Sequence, residues 1–138
     1  MHESLRSMRW SWVGFGWFIA VCLTSAILLA LEAFGLIAEG APGETLWVAV
    51  ALATGFLATG IFIGTRVAAA PVLHGAAMGV ASLIAWFLVN LLLGEPLDAS
   101  AWGSLDPMAL GAMLVLQAAS AVVGTRAGVR WVRRRRDE

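Results

Sequence analysis

Four stretches of the chain, residues 11–31, 46–65, 67–94 and 107–125, contain no charged side chain, and every charged residue falls in the segments between or beyond them. About 20 apolar residues in helical form cross a hydrocarbon layer about 30 Å thick. Each run therefore predicts one membrane-spanning helix, at approximately 10–37, 45–66, 71–94 and 107–129, followed by a basic tail over 130–138. The fold class is all-α, a four-helix bundle integral to a membrane, in one transmembrane domain over 1–138.

Boundary signals agree with this division. Ala41-Pro42-Gly43 makes a turn between the first two helices, Asp106-Pro107 supplies an N-cap with proline at the first helical position, and Pro71 opens the third helix in the same way. The segment 94–106 carries Pro96, Trp102 and three acids, which predicts a loop lying along the membrane surface.

At an offset of sixty residues, Gly60, Gly64, Thr65, Arg66 and Ala68 align with Ser120, Gly124, Thr125, Arg126 and Gly128. The chain reads as a tandem duplication of a two-helix unit, with convergence on one helix-end solution as the alternative. Repeats of this kind run parallel, related by an axis along the membrane normal. Small residues four apart lie on one helix face and let a second backbone approach closely. Gly60-Gly64, Ser120-Gly124-Gly128 and Gly75-Gly79 form three such grooves, assigned to helix packing within the bundle.

Composition removes the soluble alternative. The chain has 138 residues, 60% hydrophobic and 13% charged, where a soluble domain carries about 25% charged residues. All nine basic residues are arginine, and if each run crosses once they fall on one side: Arg6 and Arg9, Arg66, then Arg126, Arg130 and Arg133 to Arg136. The opposite side carries Glu39, Glu44, Glu95, Asp98 and Asp106. By the positive-inside bias both termini are cytoplasmic, in a bacterial inner membrane. The apolar run after Arg9 is too long for a signal-peptide core and predicts an uncleaved first helix. The single cysteine, Cys22, forms no internal disulfide.

Arg66, Arg126, Arg130, Arg133, Arg134, Arg135 and Arg136 are candidates for anionic lipid headgroups, each contributing about 1 kcal/mol near such a surface. One short arginine run offers no element that reads bases, so no nucleic acid is expected. Of seven tryptophans, Trp10, Trp12 and Trp131 mark one interface and Trp47 and Trp102 the other, with Trp17 and Trp86 deeper.

Chemistry inside the spans is sparse. Glu32, Asn90 and Gln117, with Thr24, Thr54 and Thr59, define a candidate polar path. Glu32 falls about 30 Å from Ser11 along the helix, at the outer interface. Small multidrug transporters, also four-helix chains, need a mid-membrane glutamate, which that position does not supply. The phenylalanine- and threonine-rich pore motif of fluoride channels is missing from the third helix. His74 is a candidate axial ligand to haem or chlorophyll, with Gly75 and Gly79 leaving room for a flat ring; the competing reading is a hydrogen-bonded interfacial histidine. No resident cofactor and no metal site is expected.

The run Gly60-Ile61-Phe62-Ile63-Gly64-Thr65-Arg66 leading into residues 71–79, with its echo at Gly124-Thr125-Arg126, resembles the YrzE-like family of small four-helix bacterial membrane proteins. The resemblance implies the four-helix topology and supplies no activity. With almost no mass outside the membrane, the chain reads as a non-enzymatic accessory or structural subunit. Its partners are lipid and other membrane subunits or itself, in a respiratory or photosynthetic assembly. The alternative is a small homo-oligomeric transporter or channel.

Overall fold

The computed structural model describes residues 8–37, 43–67, 70–92 and 107–137. These form four helices, α1 (Trp10–Ala33), α2 (Glu44–Arg66), α3 (Pro71–Leu92) and α4 (Pro107–Asp137). All four are long and apolar enough to cross a membrane, with mean hydropathies of 1.7 to 2.2 over their most apolar windows. The chain is an all-helical integral membrane bundle. The Ala41-Pro42 turn and the acidic segment 94–106, with Trp102, lie outside the described residues.

Two helix ends differ from expectation. α1 stops at Ala33 rather than running to 37, because Gly35 takes a left-handed φ of 68°. The Leu36 amide reaches back to the Leu31 carbonyl at 2.9 Å and the Gly35 amide to Glu32 at 2.8 Å, satisfying carbonyls that the helix end leaves open. Conversely, α4 does not end at 129. Arginine is a good helix former, no glycine or proline follows Gly128, and the Arg135 guanidinium lies 4.7 Å from the Trp131 ring one turn away. The basic tail is therefore a helical extension reaching Asp137.

Around the bundle the neighbours are α1–α2, α2–α4, α4–α3 and α3–α1, with α2–α4 the most extensive interface. α2 and α4 run parallel, as residues 60 and 64 face 121 and 125. α1 and α3 also run parallel, as Arg9 meets His74 and Trp17 meets Ser82. Like helices are thus adjacent, whereas a two-fold axis through the bundle centre places them on the diagonals. The two hairpins lie side by side, with like helices parallel as the repeat predicts.

Burial runs from the end of the bundle that carries the arginines, here the basic end, to a little past the middle of α1 and α2. Val13, Gly16, Ala20 and Thr24 of α1 are buried, and the buried positions of α2 span Ala51 to Gly64. His74, Gly75, Met78 and Gly79 are the buried part of α3, and Ala121 to Val129 holds that of α4. Beyond these, toward the acidic end, no described helical residue is buried.

The cause is side-chain size. A Cβ on Gly60 would come within 2.6 Å of the Ala121 carbonyl oxygen, and one on Gly64 would fall against the Thr125 carbonyl. Reciprocally, Gly124 and Gly128 seat the Leu57 and Ile61 carbonyls. In lipid, helices gain nothing from hiding apolar surface from water, so such close dispersion contacts determine association. Near the acidic end the helices carry Leu29, Leu46, Trp47, Trp86 and Phe87, all exposed, and a Cβ on Gly111 would meet nothing within 4 Å.

Candidate functional site

Where the close packing ends, the four helices line an open pocket of about 210 Å³, with exposed Val21 and Ser25 on its wall. α1 supplies Trp17, Val21, Thr24 and Ser25, α2 Leu52 and Phe56, α3 Ser82 and α4 Gln117. Each falls near the middle of its span, so the cavity lies at mid-membrane depth.

Its polar groups divide into a closed pair and open atoms. Trp17 Nε1–H donates to Ser82 Oγ at 3.0 Å, tying α1 to α3. Thr24, 5% exposed, packs its hydroxyl against Gly55, and its Oγ1 has no hydrogen-bond partner. Gln117 Oε1 is likewise buried without a partner. Thr59 Oγ1 is a third such atom, on α2 one turn from Phe56 toward the basic end. An unpaired polar atom in an apolar surround costs about 1–3 kcal/mol, so its persistence in the core calls for an explanation.

Of the candidate polar path, the structure brings Thr24 and Gln117 to one cavity and leaves Glu32, Thr54 and Thr59 out of its lining. Thr54 is exposed, and Glu32 is exposed on α1 two turns beyond Ser25, about 10 Å along the axis. Glu32 is therefore no part of the cavity wall, and the Asn90 side chain lies outside the described residues. Sequence reading missed Trp17, Ser25 and Ser82 as lining residues. No sequence signal marks them: the offset of 65 residues that relates both Arg9 to His74 and Trp17 to Ser82 emerges only once α1 lies beside α3.

His74 is 1% exposed and spends both ring nitrogens. Nε2 accepts from the Arg9 backbone N–H at 3.2 Å, which fixes the proton on Nδ1, and Nδ1 donates to the Ala70 carbonyl at 2.9 Å. Ala70 holds a left-handed φ of 46° just before Pro71 and also receives the His74 amide. The imidazole thus staples the start of α1 to the start of α3. Axial ligation of a tetrapyrrole requires one of these bonds to be surrendered. The space beside the ring is also filled, since Gly75 packs on the Val122 backbone and Gly79 on Ala118.

The other small residues serve the same joints. Thr125 Oγ1 donates to the Pro71 carbonyl at 2.6 Å, joining α4 to α3, while Ser120 is half-buried on α4. Arg66, Arg126, Arg130, Arg133, Arg134, Arg135 and Arg136 are all exposed at the basic end, with Arg66 over the Phe62 ring at 5.7 Å. Comparison with family models, curated proteins and solved structures finds no match to this chain.

Proposed function

We propose that this integral membrane protein is a non-enzymatic accessory or structural subunit of a larger assembly in a bacterial cytoplasmic membrane. Both termini face the cytoplasm, and the arginines contact anionic headgroups there. The supporting observation is the division of the bundle. One half is packed backbone to backbone, while the other leaves large apolar side chains of all four helices, among them Leu29, Val50, Phe87 and Val115, without an internal core. A half-built bundle is completed by membrane-embedded helices from elsewhere, another subunit or a second copy.

Gentle-detergent purification from the native membrane tests this reading, with co-purifying chains identified by mass spectrometry and the visible spectrum recorded. A stoichiometric partner supports it and names the process. A colourless chain that runs as a lone monomer, with no partner in native membranes, contradicts it.

A second reading, a small-solute conduit, is favoured by the mid-membrane cavity. Flux into liposomes that falls on Gln117→Leu while folding is retained supports the conduit. Flux equal to that of empty liposomes removes it.

A further inference from the structure

The cavity has a chemistry of its own. Among the described residues no charged side chain lines it, and an ion placed there without a counter-charge bears a heavy desolvation cost. Its volume is that of about seven waters at about 30 Å³ each, or of a molecule of roughly four to seven heavy atoms. Val21, Leu52 and Phe56 offer apolar wall, while Thr24 and Gln117 belong to the lining and carry oxygens without partners.

We infer that this cavity is a binding site for a small uncharged solute that joins one hydroxyl or amide to a compact apolar body. Both oxygens are buried in the unliganded chain, and each side chain turns to meet the solute: Gln117 Oε1 accepts its O–H or N–H, and the Thr24 hydroxyl, leaving Gly55, donates to its oxygen. Carbon atoms of the solute cover Phe56 and Leu52. The Trp17–Ser82 bond is already closed, so it holds the α1–α3 wall in place rather than competing for ligand. A single bundle contains every group required, which makes the site independent of any partner subunit.

Photolabelling of the purified full chain in lipid nanodiscs with a diazirine-bearing butanol tests the inference, with labelled positions mapped by mass spectrometry. Saturable labelling on Val21, Leu52 or Phe56, competed by unlabelled butanol, is expected. The matching diazirine alkane, lacking the hydroxyl, should not saturate. Thr24→Val and Gln117→Leu each raise the half-saturating concentration by about three- to tenfold, the worth of one hydrogen bond. Val21→Phe, at a position already 38% exposed and so tolerant of size, fills the cavity and abolishes saturable labelling. Labelling confined to outward residues such as Phe15 and Phe18, rising without saturation, overturns the proposal and leaves the cavity to water. Equal labelling by alcohol and alkane also overturns it, because the polar atoms then play no part. Because the assay uses the isolated chain, failure to find a partner subunit does not change its outcome.

Discussion

The basic-end and acidic-end halves of α2 and α4 belong to the same helices, yet they are packed differently. Near the arginines Gly60, Gly64, Gly124 and Gly128 bring carbonyls of one helix against the α-carbons of the other. A few turns away Leu46, Trp47, Met108 and Val115 are exposed. Hydrophobicity takes a helix into a bilayer without telling it what to touch, and small residues supply that second instruction.

The difference is testable by substitution. Gly64→Leu or Gly124→Leu places a side chain where a carbonyl now sits, and neither backbone has anywhere to move without parting α2 from α4. Each should destabilise the bundle by about 3 kcal/mol or more, read as loss of the folded population in a detergent titration followed by circular dichroism. Gly111 has nothing within 4 Å of where a Cβ would stand. Gly111→Ala should therefore be neutral, or stabilising by up to about 1 kcal/mol through helix propensity. Equal losses at Gly64 and Gly111 would erase the contrast between the two halves.

A middle-sized effect is expected at the α1–α3 staple. His74→Phe keeps an aromatic ring but leaves the Arg9 N–H and the Ala70 carbonyl without their side-chain partner, at a cost of about 1–3 kcal/mol. Hydrogen exchange at the Arg9 and Trp10 amides should accelerate while the core of α2 stays protected. Thr125→Val, which removes the bond to Pro71, should cost about 1 kcal/mol in the same titration. The smallest effect belongs to the acidic end. Leu29→Ala, at an exposed position, should change the stability of the isolated chain by less than about 0.5 kcal/mol and act, if anywhere, on assembly.

Charge spacing made the four spans legible, because a bilayer tolerates few charges along about 20 residues and the chain has almost none there. Gly35 falls inside the predicted first helix, 10–37, and its left-handed backbone shows that it ends α1 there instead. The predicted basic tail over 130–138 is helical as far as Asp137, since arginine is a good helix former and no breaker follows Gly128. The cavity was half legible. Gln117 and Thr24 stand out as polar residues in apolar runs, whereas Trp17, Ser25 and Ser82 acquire meaning only when α1 is set beside α3. Lateral order around a bundle depends on which faces meet, and with helices apolar on every side no periodicity records that.

The central claim is that the acidic-end half is completed by another membrane-embedded chain while the basic-end half is complete in itself. The most direct test replaces one aromatic residue in each half by a photocrosslinking phenylalanine analogue in cells: Phe87, exposed on α3 near the acidic end, and Phe62, exposed on α2 near the basic end. The account predicts a discrete protein adduct, with another subunit or a second copy, from position 87 and lipid adducts alone from position 62. Lipid adducts alone from both positions, or a protein adduct from position 62 only, would contradict it.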